Sequence, residues 1–235
     1  MMDLDLIKTG IVAVILSYAT LQDIEKREVD DWIWIILAIL TIPLTIYQYV
    51  STRVYLTLHI LSMLMGAGLA LSFAFMDLMG GADAKAFIVL SIIELPSFNP
   101  LKLIPSLSIM LNSILFSLIT IPYILTCNLL TCLKRKCKIS SVQELFLLFV
   151  AKKIKLGEVA KNPHKYFIIG VEDKLRKVKA SEETINVVKE LLSRGYTFNT
   201  EVYVTPSLPL MLFILLGYLF YKLLGNVLYL IIHLL

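Results

Sequence analysis

Histidine and cysteine are scarce in this sequence, with three residues of each among 235. The histidines, His59, His164 and His233, are isolated from one another, and neither an H-E-x-x-H zinc motif nor a G-x-S-x-G serine motif is present. We therefore expect all three histidines to be structural. The usual zinc-peptidase and serine-hydrolase patterns are excluded.

The three cysteines, Cys127, Cys132 and Cys137, have the spacing C-x4-C-x4-C. Zinc sites usually combine four ligands in tighter pairs, and disulfide frameworks use an even number of cysteines. We interpret these residues as free thiols near the end of a membrane helix. The sequence predicts no metal and no cofactor.

Charge is also scarce, since Asp, Glu, Lys and Arg make up 17% of the chain against about 25% in a typical soluble domain. Hydrophobic residues make up 58%, and the mean hydropathy is +0.80. Apolar runs recur near the length of about 20 residues that a spanning helix needs. The chain is predicted to be an integral membrane protein in a lipid bilayer, with a retained first helix because no A-x-A-like cleavage pattern follows it.

The apolar runs predict an all-α polytopic membrane protein with six transmembrane helices. Pro105 is a candidate start for the fifth helix, and Pro122 is a candidate bend within it. The six segments are about Leu6–Leu21, Trp32–Val50, Tyr55–Leu78, Ala84–Leu95, part of Leu103–Leu133, and the run from Pro209 toward Leu235.

Fifteen of the 22 Lys and Arg residues lie between Lys134 and Arg194. A nucleic-acid site is one reading, but the positive-inside rule favours a cytoplasmic domain, and we predict no nucleic-acid partner. The predicted domains are 1–133 (helices 1–5), 134–205 (a soluble insert) and 206–235 (helix 6).

The insert is predicted to be a small α+β domain between helices 5 and 6. Ser141 and Glu144 resemble a capping box for a helix over about Val142–Ile154. The stretches "KYFIIGV" and "TEVYV" are typical of strands. Between them, Ser181 is a candidate cap for a helix over Glu182–Arg194, with Gly195 just past its end.

Asp23 and Asp83 are the carboxylates that attract a functional interpretation, because acids beside spanning segments are rare and expensive to bury. Asp23 lies in "LQDIEKREVDDWIW" at the end of helix 1, and Asp83 lies in "MGGADAKAF" at the start of helix 4. The predicted topology brings both to the same membrane face. This is the placement that a carboxylate pair requires.

Two adjacent carboxylates do not both ionise readily, so such a pair shares a proton. The ionised member can take a proton from water while the protonated member polarises a peptide carbonyl. A helix N-terminus favours the charged form of an acid, so we expect Asp83 to be the easier one to ionise. This chemistry requires neither a metal nor a covalent intermediate.

Gly80 and Gly81 allow a sharp break between helices 3 and 4 and leave room for a substrate backbone near Asp83. A simple turn in which a solvated Asp83 caps the helix explains the same residues equally well on this segment alone. Asp77 is a less favoured alternative to Asp83, and Asp30 or Asp31 is a less favoured alternative to Asp23.

The segments "GGAD", "DIEKREVDDWIW" and "YVTPSLPLMLFI" together resemble the type IV prepilin peptidase and preflagellin peptidase family of membrane aspartyl proteases. "GGAD" fits that family's G-x-hydrophobic-D signature. The resemblance covers nearly the whole chain and is greatest to the archaeal preflagellin branch, which also has six membrane helices and a soluble insert. It implies a membrane aspartic endopeptidase whose active site faces the cytoplasm.

The resemblance implies that Asp23 and Asp83 are the catalytic pair. It also implies that Gly80 is the signature glycine and that Ala82 fills the hydrophobic position. Lys85 matches a basic residue of the family whose role stays open: it either tunes the two aspartates or anchors the helix at the membrane interface. Three features depart from many bacterial members: Asp30 stands where they carry a proline, C-x-x-C pairs are absent, and Ala82 stands where many carry a glycine. The second departure favours cleavage without methyl transfer.

The implied partner is a preflagellin or prepilin-like precursor with a short basic leader peptide. An acidic set beside Asp23 is a candidate leader-binding surface, although an ordinary solvated loop is equally compatible. Its members are Glu25, Glu28, Asp30 and Asp31. Two alternatives stay open: a sugar-binding-protein precursor as client, or a non-enzymatic membrane scaffold whose basic insert docks a partner or anionic lipid.

Overall fold

The computed structural model describes residues 2–52, 56–97, 99–135, 147–171, 174–175 and 183–234. In chain order, the helices are α1 (Met2–Lys26), α2 (Asp31–Thr52), α3 (Leu56–Phe75), α4 (Gly81–Ile93), α5 (Pro105–Ser117), α6 (Thr120–Arg135), α7 (Leu156–Lys161), α8 (Thr184–Ser193), α9 (Leu210–Leu224) and α10 (Val227–Leu234). The strands are β1 (Lys152–Lys155), β2 (Tyr166–Val171), β3 (Lys174–Leu175) and β4 (Glu201–Pro206). The chain divides into two units, Met1–Ser117 with Pro209–Leu235, and Leu118–Leu208.

The prediction of a helical, polytopic membrane protein is confirmed, but the predicted count of six spans is not. Within the described residues, four segments are long and apolar enough to cross a membrane: Leu4–Lys26, Asp31–Ser51, Leu56–Phe75 and Pro105–Leu130. The fourth contains a two-residue turn between α5 and α6. These segments support assignment as a multi-pass membrane protein.

The other two predicted segments are helical but too short to cross a membrane as single helices. Helix α4 has 13 residues, which gives about 20 Å against a hydrocarbon core of about 30 Å. The final apolar run is broken at Gly225, whose φ of 86° lies in the left-handed region that ends a helix. Helix α9 therefore has only 15 residues before the chain restarts as α10.

Proline positions explain the boundaries of α5 and α6. Pro105 is the first residue of α5, as predicted, where a missing N–H has no intrahelical partner to lose. Pro122 lies in the first turn of α6 and does not bend a longer helix. Proline has no backbone N–H, so residue 122 cannot donate the helical hydrogen bond to the carbonyl oxygen of residue 118. The chain forms a turn at residues 118–119 instead.

Helix α4 lies at the centre of the first unit and packs against α2, α3, α5 and α9. Its Ala86, Phe87, Leu90 and Ile93 side chains are buried in the main apolar cluster. Small residues bring its neighbours close, because a Cβ at Gly66 of α3 would collide with serine side chains of α4 and α5. Such small-residue contacts are typical of helices that pack without a hydrophobic driving force.

The second unit contains a four-stranded antiparallel sheet in the order β1-β4-β2-β3. Helices α7 and α8 bury Leu156, Val187 and Leu191 with strand residues such as Ile168 and Val202. The residues 147–151 contribute a separate small cluster with Tyr203.

Several predictions for this unit can be checked. Strands β2 and β4 and helix α8 are confirmed, and Gly195 follows α8 with a φ of 91°. The helix expected over Val142–Ile154 is wrong at its end, because residues 152–154 form β1, paired with β4. Residues 147–150 are helical. The proposed capping residues Ser141, Glu144 and Ser181 lie outside the described residues, as does Cys137.

Candidate active site

Asp23 and Asp83 lie at the same end of the first unit. Near the start of α1, the Lys8 Nζ lies 2.9 Å from the Ile93 carbonyl oxygen at the end of α4, so the two helices run antiparallel. Asp23 is in the last turn of α1 and Asp83 is in the first turn of α4. The two carboxylates interact electrostatically.

The half-buried Asp23 carboxylate receives a hydrogen bond from a third helix. The backbone N–H of Met211, in the first turn of α9, donates to Asp23 Oδ2 at 3.3 Å. The positive charge of Arg27 also acts on Asp23. Both a helix N-terminus and a nearby guanidinium stabilise a negative charge. These two interactions act against the cost of burying the Asp23 carboxylate, which is the largest influence on it.

Local backbone geometry explains how α1 ends beside this carboxylate. Arg27 follows the helix with a φ of 59°, and its N–H donates to the Asp23 carbonyl oxygen at 3.1 Å. A left-handed residue at this position stops the helix and turns the chain. Asp23 is thus held in the last turn of α1.

Gly80 is required beside Asp83 because a side chain at residue 80 would collide with the Asp83 carboxylate, and not because its backbone dihedral angles are unusual. Its φ of −66° is open to any residue, but a Cβ placed there would lie 2.9 Å from Asp83 Oδ2. The N–H of Gly80 faces this carboxylate. A Cβ at Gly81 would meet nothing within 4 Å. Of the two glycines, Gly80 is therefore the one that the position of Asp83 requires.

Asp83 lies outside the four segments that are long enough to span a membrane. Burial, followed by the negative charge of Asp23, raises the pKa of Asp83 to about 7, while the Gly80 N–H acts in the opposite direction. The expectation that a helix N-terminus would make Asp83 easy to ionise is therefore wrong. Desolvation and a like charge outweigh the dipole, which contributes typically 0.3–1 kcal/mol.

Lys85 forms an ion pair with a residue of α2. Its Nζ lies 2.6 Å from Asp31 Oδ1, and both side chains are largely exposed. This contact joins the first turns of α2 and α4 and gives Lys85 a role that the sequence left open. Ala82, one residue before Asp83, packs against the apolar cluster.

Asp30 and Asp77 have local structural roles. Asp30 precedes α2, and its carboxylate accepts a hydrogen bond from the buried Gln22 amide at 2.8 Å, while its own N–H donates to Gln22 Oε1. Asp77 ends α3 with a φ of 55°, a conformation that aspartate tolerates better than most residues. These geometries favour Asp23 and Asp83 over the alternatives. Glu25 and Glu28 are exposed at the end of α1.

Among the histidines, His59 Nε2 lies 3.1 Å from the Ile92 carbonyl oxygen, consistent with a structural contact. His164 is exposed in a short turn of the second unit, and the His233 side chain is outside the described residues. Cys127 is half-buried, and the Cys132 side chain is outside the described residues.

Sequence reasoning missed the Met211 N–H and Gln22 as parts of this site. Met211 is 188 residues from Asp23, so only the tertiary fold brings them together. A usable signal was present, because Pro209 immediately precedes α9 and marks the start of a helix whose first N–H groups lack intrahelical acceptors.

Comparison with known proteins identifies the family of this chain. The type IV leader peptidase family matches residues 10–125, which include Asp23 and Asp83. A preflagellin peptidase of Methanococcus maripaludis is 29% identical, with 90% of this chain and 92% of the relative covered. A preflagellin peptidase of Methanocaldococcus jannaschii is 27% identical, covering 91% and 92%. An uncharacterized protein of the same organism is 30% identical, covering 87% of each chain. The chain belongs to the type IV leader peptidase family.

Proposed function

We propose that this protein is a membrane aspartic endopeptidase that removes the short basic leader from archaeal preflagellin or prepilin-like precursors. The observation that carries the proposal is that Asp23, in the last turn of α1, and Asp83, in the first turn of α4, lie at one end of the helical unit, where the charge of Asp23 acts on Asp83. Two neighbouring carboxylates are unfavourable when both are ionised, and such pairs recur at sites where shifted proton affinities are used in catalysis. Family membership supports a processing peptidase.

The local contacts assign different roles to the two acids. Asp23, beside the Met211 N–H and Arg27, is the ionised member and accepts a proton from the attacking water. Asp83 keeps its proton and donates a hydrogen bond to the scissile carbonyl oxygen. The water oxygen bonds to the carbonyl carbon, and the tetrahedral intermediate collapses as the C–N bond breaks. The proton held by Asp23 passes to the leaving nitrogen, and the pair returns to one proton.

The exposed Glu25 and Glu28 extend the acidic leader-binding hypothesis. Asp30 and Asp31 already contact Gln22 and Lys85, so the two glutamates are the members best placed to attract a basic leader. Charge reversal of both glutamates should raise the KM several-fold at low salt and less at high salt. An unchanged KM at low salt would remove the leader-binding role.

We infer the orientation from the positive-inside rule, which places the Asp23 end and the basic segment 134–205 in the cytoplasm. The preflagellin client is inferred from the names of the two peptidase relatives. Prepilin-like and sugar-binding-protein precursors have the same leader chemistry and are the alternatives that the cleavage assay compares.

The proposal is tested by co-expressing the full chain with each tagged precursor and measuring leader removal by mass spectrometry. Asp23→Asn and Asp83→Asn should each abolish the mass shift while the protein still inserts in the membrane. Asp77→Asn is the matched control, because asparagine also tolerates the left-handed conformation at that position. Cleavage by both site variants at the wild-type rate would remove Asp23 and Asp83 as the catalytic pair, whereas no cleavage of any precursor by the wild-type protein would favour the membrane scaffold.

A further inference from the structure

A second group of charged and polar residues lies at the end of the first unit opposite Asp23 and Asp83. We call it the Glu94 cluster, and its members are Asp5, Lys8, Glu94, Tyr218 and Lys222. Glu94 is 2% exposed and follows α4 directly. Its carboxylate lies 3.2 Å from Lys222 Nζ, 3.1 Å from the Tyr218 hydroxyl and 3.9 Å from Lys8 Nζ.

The cluster balances its charges internally. Lys222 also pairs with Asp5 at 2.8 Å, so two lysines face two carboxylates. Removing charges from water is expensive, and buried ion pairs often add little stability compared with apolar residues of similar volume. One attested use of such pairs is to specify a single packing arrangement. The elements that the cluster joins therefore indicate which packing arrangement it specifies.

The cluster joins the three helices that build the candidate active site. Lys8 belongs to α1, Glu94 follows α4, and Tyr218 and Lys222 belong to α9. The same helices supply Asp23, Asp83 and the Met211 N–H at the other end. At 1.5 Å per residue, the two ends are separated by about 22 Å along α1 and about 16 Å along α4.

The end of α4 is fixed by further contacts with its carbonyl groups. The Ile93 carbonyl oxygen accepts hydrogen bonds from Lys8 Nζ at 2.9 Å and from the Thr45 hydroxyl at 3.0 Å. Lys8 Nζ also donates to Gln48 Oε1 at 2.7 Å. The last carbonyls of a helix have no intrahelical partner, and leaving them unpaired in an apolar environment is unfavourable. Rotation or sliding of α4 would break these contacts together.

We propose that Glu94 is a positioning residue for peptide cleavage, which sets the register of α4 against α1 and α9 and thereby the approach of Asp83 to Asp23. This inference rests on the function proposed above. It predicts that loss of the Glu94 charge affects turnover at a site about 16 Å away, with little effect on leader binding.

The test is steady-state cleavage of a tagged precursor by the purified full chain, with rates expressed per folded enzyme. Glu94→Gln should lower kcat by about 10- to 100-fold, because small displacements of catalytic groups have effects of this size. The KM should stay within about twofold. Glu94→Asp keeps the charge and should recover part of kcat. Glu190→Gln is the matched control, since it breaks an exposed ion pair with Arg194 and should leave kcat unchanged.

A charge-balanced variant separates positioning from stability. Glu94→Gln combined with Lys8→Met restores a neutral cluster, so the folded yield should recover while kcat stays low. A kcat that returns with the yield would overturn the positioning role, as would wild-type kcat in Glu94→Gln. Those outcomes leave the proposed function standing. The proposed function fails separately if wild type does not cleave any precursor, or if Asp83→Asn cleaves as wild type does.

Discussion

The two ends of the first unit differ in how their acids are paired. At the Glu94 cluster, each carboxylate lies within 3.2 Å of a lysine Nζ. At the other end, Asp23 and Asp83 act on each other, and the lysine in the first turn of α4 pairs with Asp31. Lysines therefore neutralise both acids of the Glu94 cluster, whereas at the other end the positive charge of Arg27 acts on Asp23, and Asp83 lies beside a like charge. Under the proposed function, the interaction between Asp23 and Asp83 is retained for chemistry.

The largest expected effect tests whether Asp23 and Asp83 act as one unit. Asp23→Asn or Asp83→Asn should each lower kcat by about 10⁴-fold, since acid–base groups contribute typically 10²–10⁴-fold. The double variant should be no slower than either single variant, because groups that act together are strongly non-additive. Single-turnover cleavage of a labelled precursor measures this. Independent, multiplicative losses would mean that the acids do not share a step.

The second-largest expected effect concerns the two glycines in the turn before α4. Gly80→Ala places a methyl group 2.9 Å from Asp83 Oδ2 and should displace the carboxylate, lowering kcat by about 10²-fold. Gly81→Ala meets open space and should retain wild-type kcat. The two alanine variants are compared for kcat and for folded yield. Equal losses in both would show that helix propensity, and not the Asp83 contact, explains the glycines.

The smallest effect concerns the exposed ion pair beside the site. Lys85→Ala removes the contact with Asp31, and exposed pairs contribute about 0.2–1 kcal/mol. We expect no more than about a fivefold change in kcat, with reduced sensitivity to salt. Asp31→Ala should behave in the same way. A loss near that of Asp83→Asn would place Lys85 in the catalytic chemistry instead.

The sequence predicted the segments of this site better than its contacts. Asp23 and Asp83 stand out because carboxylates are rare beside apolar runs, and Gly80 stands out because it interrupts them. The Met211 N–H and the Glu94 cluster involve partners more than 80 residues apart, so local patterns do not predict these contacts, and Pro209 marks only the start of α9. Lys8 and Lys222 could be read only as interfacial lysines until the helices were packed.

The sequence predicted element boundaries wrongly where pairing with distant residues decides the structure. β1 consists of Lys152–Lys155, which has one apolar residue, and it forms a strand because β4 supplies its hydrogen-bond partners. A helical extension from the preceding residues was the natural local interpretation. The sequence predicted a short fourth segment but not the contacts at the end of α4, where the carbonyl oxygen of the buried Ile93 accepts hydrogen bonds from Lys8 and Thr45 of neighbouring helices.

The interaction between the two acids can be measured directly by following the Asp83 carboxyl group with infrared difference spectroscopy during a pH titration. In the wild-type protein the pKa of Asp83 should lie at about 7, so the protonated band should disappear as the pH rises through neutrality. In Asp23→Asn, loss of the neighbouring negative charge should lower this pKa, with burial keeping it above its usual value. A titration that is identical in both proteins would mean that Asp23 and Asp83 do not interact, which would contradict the account.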